Sequence, residues 1–328
     1  MSTLPGTDRT RNTRATLLRA LVSIVLLAIL FSQVDWPEFF RVLADLQPVY
    51  LIVPIIGFYV NIWLSTAKWQ AILSYLDLKH RLMSLYSTYL EGVYFTNFLP
   101  TSFGGDGYRY LRLRRQHSGA SDRILSSLLL ERGYGYITLL LVNLLLLAGF
   151  RDVMRTSPLI FWIEVIILVM VVGLVLVLLL GKGAVARLVR RWDGFRFLEK
   201  AWQLLAIREP RTIAISLITS FFFVLISGIG LGMYYRAAGI PLNWFYALYV
   251  TTIIGIIGIA PVTINGLGLV ELVQAALLGL IGVPLETVIA IALTQRVLGL
   301  ILSIPGGVLY FRRGMGVAVT ADQEYDGN

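Results

Sequence analysis

The stretch Asn97–Arg115 reads NFLPTSFGGDGYRYLRLRR and interrupts an apolar, helix-like run. The break contains Pro100, two adjacent glycines and Asp106. A hydrocarbon core tolerates such a break only where protein or a water-filled cavity surrounds it, because the freed backbone groups need partners. The stretch therefore predicts a helical element over residues 84–116 that enters a membrane, turns and leaves on the same side. It also predicts half of a functional site.

The composition is that of a membrane protein. Of the 328 residues, 57% are hydrophobic and 14% are charged, which is too apolar for an ordinary soluble domain. Cysteine is absent, which excludes disulfides and cysteine metal clusters, and the chain has no P-loop, so no cofactor is predicted. The net charge of +9 is carried between apolar runs. This placement favours anionic membrane lipids over nucleic acid as partners.

Hydropathy predicts an all-α, polytopic membrane protein with about six complete spans and two re-entrant, broken helical elements. The predicted spans are 17–34, 49–73, 121–150, 158–180, 212–235 and 285–311. The re-entrant elements cover 84–116 and 243–281, and amphipathic segments cover 36–47 and 182–210. Lysine and arginine concentrate in the loops on the side of the N-terminus. The positive-inside rule therefore predicts a cytoplasmic (inner) cell membrane protein with both termini in the cytoplasm.

Three landmarks recur in the two halves of the chain at offsets of 161 to 164 positions. They are a proline that opens a span, a proline that breaks a re-entrant element and an arginine within the next span, at Pro48 and Pro210, Pro100 and Pro261, and Arg132 and Arg296. With three crossings in each half, the second half would be inverted in the membrane. The pattern predicts an inverted-topology repeat of residues 1–153 and 154–328.

Arg132 and Arg296 are expected to approach the middle of the membrane from opposite faces. Each lies ten to twelve residues inside its span, or ~15–18 Å at the helical rise, against a core of ~30 Å. An arginine at that depth faces a cavity, an ion pair or a substrate. Arg132 has two open interpretations, a structural pair with Glu91, Glu131 or another carboxylate, and a phosphate-binding role. The second is favoured because Arg296 stands beside Gln295 and no equally deep acid is evident there.

The other candidate residues lie at or after the two breaks. Asp106 is interpreted as a helix cap, as an ion-pair partner of Arg109 or as a gate. Glu131 is either the partner of Arg132 or a titrating coupling group. Glu271 is either buried and proton-coupling or turned to the interface. Backbone amides and neutral side chains complete the predicted substrate-binding set, namely Thr101, Ser102, Gly104, Gly105, Thr263, Asn265, Gly266 and Gln295.

The tryptophans and one further acid are assigned to the membrane interface. Trp63, Trp69, Trp162 and Trp244 are interpreted mostly as an aromatic belt. Glu164, beside Trp162, is predicted to be interfacial as well.

Several of these motifs together resemble one family. The break NFLPTSFGGDGYR, the pair Glu131 and Arg132, and the later APVTINGLGLVE before an arginine-bearing span resemble the lysylphosphatidylglycerol synthase transmembrane region, also called the flippase-like family. The resemblance covers residues 17–311. It departs at 264–268, where the family commonly has a Pro-Gly-Gly-Leu-Gly turn. It implies an integral membrane module that moves lipids or lipid-linked precursors between leaflets. No soluble synthase domain is expected.

The leading hypothesis is a lipid translocase, a transporter rather than an enzyme. It would pass the headgroup of an anionic phospholipid or a polyprenyl-phosphate-linked lipid through a polar cavity, with Arg132 and Arg296 on the phosphate. A transferase acting on a lipid phosphate through Asp106, Glu91 and Glu131 is the first alternative. A membrane scaffold, and more generally a partnership with a lipid or glycan biosynthetic enzyme, is the second.

Overall fold

The computed structural model describes residues 21–98, 104–117, 119–147, 158, 161–169, 171, 173, 209–258 and 263–325. All regular structure in these residues is helical, which confirms the all-α part of the predicted fold class. The helices are α1 Leu21–Phe31, α2 Trp36–Ala44, α3 Ile52–Tyr75, α4 Leu82–Phe98, α5 Gly104–Gln116, α6 Ser121–Leu147, α7 161–169, α8 Pro210–Ala237, α9 Trp244–Ile257, α10 Leu269–Gly279 and α11 Leu285–Tyr325.

Four of the described helical stretches are long and apolar enough to cross a membrane. They are Pro48–Tyr75, Ser121–Leu147, Pro210–Ala237 and Leu285–Arg313. Helices α1 and α2 would add a fifth span if taken together, but they meet at an angle of 91°. Of the two other predicted spans, 17–34 begins in residues outside the description, and 158–180 is described only in part. The amphipathic segment 182–210 lies outside the described residues except at its end.

Helix α8 illustrates how a membrane helix distributes its side chains. Ser216, Ser220 and Gly228 are buried against other helices, whereas Phe221 and Phe222 are exposed on the outside. Small and polar residues allow close approach between membrane helices, and large apolar residues suit contact with lipid chains. The polar face of this helix therefore points into the protein.

The first predicted break separates α4 from α5, which fold back against each other. Residues 99–103, including Pro100, lie outside the described residues. Gly105 explains how closely the two helices approach, because a Cβ at this position would collide with Thr96 Oγ1 and the carbonyl of Gly92. A glycine is thus needed where the chain re-enters a helix.

The second predicted break separates α9 from α10. Residues 259–262, including Pro261, are outside the described part of the chain. Asn265, Gly266 and Gly268 have positive φ angles of 50°, 72° and 79°. Asparagine and glycine tolerate this left-handed backbone better than other residues do. The sequence Ile264–Gly268 therefore forms a tight turn even though it departs from the glycine pattern of the family resemblance.

The long helices enclose the middle of the molecule. Helix α3 packs along α8, α4 packs along α11, and α6 contacts both α8 and α9. The contact between α4 and α11 is especially close at Gly306, where a Cβ would collide with the carbonyl of Leu90. Together α3, α4, α5, α6 and α8 surround a polar cavity.

Candidate functional site

Arg109, on the second turn of α5, is held on all sides. Its Nη1 donates to Glu131 Oε2 on α6 at 2.6 Å, and its Nη2 donates to Asp106. The guanidinium also lies over the rings of Trp69 and Tyr89, at 4.8 and 4.3 Å from their centroids. With 4% of its surface exposed, Arg109 joins α3, α4, α5 and α6 into one unit.

Arg132 is paired to the same break. Its Nε donates to Asp106 Oδ2, while Asp106 Oδ1 accepts from Arg109. Asp106 therefore bridges two arginines, and it lies inside the first turn of α5 rather than before it. The side chain of Arg132 remains 35% exposed, in contrast to the fully engaged Arg109. Of the two arginines, Arg132 is by far the more exposed.

Cavity A has a volume of about 300 Å³ and is enclosed by the five helices that meet around Asp106. Its polar lining consists of Ser65, Lys68, Tyr89, Thr96, Asn97, Asp106, Arg109, Glu131, Arg132, Tyr136 and Ser220. Three of these side chains are cations and two are carboxylates. The formal balance of the lining is thus one positive charge.

Lys68 is the cation that sequence reasoning missed. It lies inside the span Pro48–Tyr75, is 7% exposed, and donates from Nζ to Ser220 Oγ at 3.2 Å. No carboxylate of the described residues forms an ion pair with it. A lysine within an otherwise apolar run was the available signal, because such a residue is costly unless it faces a cavity or a partner.

Cavity B surrounds the second arginine and has a volume of about 380 Å³. Arg296 Nε donates to Glu271 Oε1, and Glu271 Oε2 accepts from the backbone N–H of Gly268 at 2.8 Å. The remaining polar lining is uncharged and consists of Asn97, Asn265, Gln274 and Gln295. Cavity B therefore contains one ion pair among amide side chains.

Cavity C, of about 260 Å³, lies between α3, α8, α9 and α11. Its polar side chains include Asn61, Ser227 and Gln295, and Asn61 donates to Ser227 at 3.0 Å. Gln295 and Gly299 line cavities B and C, and Asn97 lines cavities A and B. Polar side chains therefore connect the three cavities.

The family comparison agrees with this architecture. A model of the lysylphosphatidylglycerol synthase TM region matches residues 16–307. The chain belongs to this family. A search of curated proteins finds no match. Membership and the apolar helices establish a multi-pass membrane protein of a family concerned with lipid metabolism or translocation.

Within this family member, the predicted site residues fall into two groups. Gly105, Asp106, Arg109, Glu131 and Arg132 line cavity A. Asn265, Glu271, Gln295 and Arg296 line cavity B. Gly104 lies on the opposite face of α5, beside Tyr108 and Tyr310, and Thr263 and Gly266 are buried in the second turn. Thr101 and Ser102 lie outside the described residues.

Two expectations about the arginines need correction. An acid does stand beside Arg296, because α10 folds back and places Glu271 against it. Glu271 is 5% exposed, so it does not extend to an interface. Its carboxylate also accepts a hydrogen bond from the Gly268 amide. Glu131 pairs with Arg109 rather than with its neighbour Arg132.

Two interfacial assignments are wrong for the same reason. Trp69 is fully buried beneath Arg109 and donates to Ser127 Oγ at 3.0 Å. Glu164 is 3% exposed and contacts Asn143 and Tyr249. Both residues lie near an end of an apolar run, where hydropathy alone favours an interface. The neighbouring helices cover them, and no local pattern reports such neighbours.

The described residues contain no group of three or more histidine, aspartate or glutamate side chains able to hold a metal ion. The acids of cavities A and B are instead engaged with arginines. What these cavities offer is a polar interior with guanidinium and ammonium groups. Such groups bind phosphate through charge-assisted hydrogen bonds.

Proposed function

We propose that the protein translocates an anionic phospholipid or a polyprenyl-phosphate-linked lipid between membrane leaflets. The headgroup would travel through cavities A, B and C while the hydrophobic tail stays in the lipid. The observation that carries the proposal is the lining of cavity A, where the described residues include three cations, Lys68, Arg109 and Arg132, and two carboxylates, Asp106 and Glu131. One negative charge on a bound phosphate would neutralise the remaining positive charge of this lining.

Lys68 and Arg132 are the groups we assign to the phosphate in cavity A. A buried ammonium without a carboxylate partner is costly in a membrane, and a bound anion would offset that cost. Arg132 adds a forked donor and is still one-third exposed. Arg109 is already satisfied by two carboxylates and two rings, so its role in this scheme is to hold the site together.

Arg296 is the corresponding group in cavity B. Its side chain is 27% exposed, and its present partner is Glu271. A phosphate that enters cavity B would compete with that carboxylate for the guanidinium. Asn97 lines cavities A and B, and Gln295 lines cavities B and C. Both would form hydrogen bonds with the headgroup as it moves between cavities.

The matching positions of the acids and arginines in the two halves support the proposed inverted repeat. Asp106 is the third residue of α5 and Glu271 is the third residue of α10. Arg132 and Arg296 are each the twelfth residue of the following long helix. Each arginine donates from Nε to the carboxylate of the preceding broken element. Transporters built from inverted repeats place their sites between such elements.

The decisive experiment is lipid translocation by purified protein in vesicles. Fluorescent anionic and zwitterionic lipids would be compared for wild type, Lys68→Met, Arg132→Ala and Arg296→Ala. We expect wild type to move the anionic lipid and each variant to be slowed by about tenfold, the equivalent of ~1.4 kcal/mol of lost phosphate interaction. Absence of movement, or variants equal to wild type, would overturn the proposal.

The same vesicles address the alternatives. Lipid recovered with a chemically altered headgroup would indicate a transferase, and an inert protein that co-purifies with a biosynthetic enzyme would indicate a scaffold. A cytoplasmic membrane location with both termini inside is part of the proposal. Protease accessibility of tags at either end would test that orientation.

A further inference from the structure

Glu164, on α7, is a buried acid whose described contacts are all uncharged. Its Oε1 accepts from Tyr249 Oη at 2.7 Å and from Asn143 Nδ2 at 3.4 Å. Its Oε2 is buried and has no hydrogen-bond partner. This carboxyl group lies apart from the three cavities, and none of them is lined by it.

The other buried glutamates of the described residues are all paired with arginine. Glu91 meets Arg313 at 2.9 Å, Glu131 meets Arg109 at 2.6 Å, and Glu271 meets Arg296. Glu164 has no such partner among the residues that the structure describes, although it is just as deeply buried. An ionised carboxylate without a countercharge is very unfavourable inside a membrane protein. The environment of Glu164 therefore favours an uncharged form.

We propose that Glu164 is a proton-binding site that is occupied at neutral pH. Oε2 accepts no hydrogen bond, so a proton on this oxygen displaces no donor. Oε1 faces Asn143 Nδ2 at 3.4 Å, and Asn143 Oδ1 is buried and unpaired. A half turn of the Asn143 amide, whose two ends have nearly the same shape, would exchange Nδ2 for Oδ1 beside Oε1 and give a proton on that oxygen an acceptor.

A metal cation fits the site less well than a proton. Hard cations take six or more oxygen ligands. Glu164, Asn143 and Thr252 supply three kinds of side-chain oxygen, and Thr252 Oγ1 already accepts a hydrogen bond from Asn143 Nδ2 at 3.2 Å. The surrounding backbone of α6 and α9 is regular helix, so its carbonyls are engaged. A single proton needs only one acceptor.

In the described part of the chain, few groups face Glu164 from neighbouring helices. Helix α6 contributes Asn143, and α9 contributes Tyr249 and Thr252. Tyr249 is the titratable group among them, and the sequence of α9 contains no charged residue. The nearest charges along α6 are Glu131 and Arg132, eleven or more residues away in the chain, or ~16 Å at the helical rise.

Occupancy of the proton site would affect the rate of lipid transport. This part of the inference rests on the proposed function. The network joins α6, whose Leu139 lines cavity A, to α9, whose Thr251 and Ile254 line cavity C. Loss of the proton places a charge between these two helices and so penalises their present packing. A proton gradient could thereby bias the exchange between packing arrangements.

The first test reads the proton directly. Infrared difference spectra of the purified protein in lipid, recorded across a pH titration, should show the carbonyl stretch of a protonated carboxyl group. Glu164→Gln, which is nearly isosteric, should abolish that band. Glu271→Gln, which removes an arginine-paired carboxylate, should leave it unchanged. A band that is absent from wild type or retained in Glu164→Gln overturns the proposal, as does a band lost on adding sodium or potassium ions alone.

The second test uses vesicles with an imposed pH gradient. We expect the gradient to change the rate of anionic lipid movement in wild type several-fold and to have no effect in Glu164→Gln, which should still move lipid. Equal gradient dependence in both proteins would overturn the coupling role. If neither protein moves lipid, the translocase proposal fails while the infrared result still decides the proton site. Melting curves of both proteins establish that the variant is folded.

Discussion

Arg296 on α11 donates from Nε to Glu271 of the broken element α10, so a phosphate-binding candidate is occupied by an internal carboxylate. Arg132 and Asp106 form the same arrangement in the other half of the chain. In both cases the carboxylate lies near the start of a helix that follows a break. A headgroup phosphate that binds either arginine directly must take the place of an acid or share its donors.

Competition between phosphate and carboxylate for Arg296 predicts that substitutions of Glu271 and Arg296 have opposite effects on lipid binding. Glu271→Gln should tighten binding of an anionic lipid because it releases Arg296, while keeping an oxygen for the Gly268 N–H. Arg296→Gln should weaken the same binding. We expect each change to be about fifteenfold or less, because polar interactions in membrane proteins rarely exceed ~1.7 kcal/mol. Lipid titration monitored by native mass spectrometry measures both. Weaker binding in both variants would mean that the pair only maintains the fold.

Lys68 is expected to contribute charge rather than shape. Lys68→Met retains much of the side-chain length and should lower the affinity for an anionic lipid by about tenfold (~1.4 kcal/mol) without affecting a zwitterionic one. Ser220→Ala is the matched control, since it removes the hydrogen bond to Nζ and leaves the ammonium group in place. Its effect should be smaller. Equal losses for both lipids in Lys68→Met would argue against a charge interaction.

Arg109 should behave as a structural residue. Arg109→Met leaves Glu131 buried without its arginine, and breaking a buried pair in this way typically costs about 3–5 kcal/mol. The double variant Arg109→Met, Glu131→Gln should recover much of the loss, because Tyr89 can still donate to the amide oxygen. Thermal unfolding in detergent measures all three proteins. A double variant no more stable than Arg109→Met would show that the ring contacts, and not the charge, hold this region.

The packing of α4 against α11 predicts that the effect of a glycine-to-alanine substitution on stability depends strongly on its position in α11. Gly306→Ala should destabilise the protein by roughly 1–3 kcal/mol, because its Cβ meets the rigid carbonyl of Leu90 and overpacking must be relieved by moving a helix. Gly299→Ala on the same helix has open space around the new methyl group and should be neutral or slightly stabilising. Melting temperatures of the two variants, compared side by side, test this contrast.

His80 and His117 predict a pH effect outside the spans. Their Nε2 atoms lie 3.0 Å apart, and the pKa of His80 is lowered from 6.5 by its burial first and by His117 second. The folded protein therefore binds fewer protons than the unfolded chain, so the contribution is complete above pH 6.5 and decreases as the pH falls below it. Melting temperatures measured at about pH 7.5 and about pH 5.5 should fall more in wild type than in His80→Gln. An equal fall in both would exclude this pair as the cause.

Much of the architecture was predictable because membrane hydropathy is a local property. A segment in lipid must satisfy its own backbone, so long apolar runs become helices whatever surrounds them. The four candidate spans and the breaks near Asp106 and Asn265 follow from this rule. The predicted count of six spans is not confirmed, because 158–180 is described only in part and α1 bends sharply into α2.

The composition and order of residues alone determined that this chain is an all-helical membrane protein with two broken elements and an arginine after each. The tertiary structure decided which groups meet. Glu131 could not be assigned to Arg109 rather than Arg132, nor Lys68 to cavity A, until α3, α5 and α6 were placed side by side. The physical reason is range. Burial in lipid acts on each segment separately. Ion pairs and cavities instead depend on which helices pack together, and these helices are many tens of residues apart in the sequence.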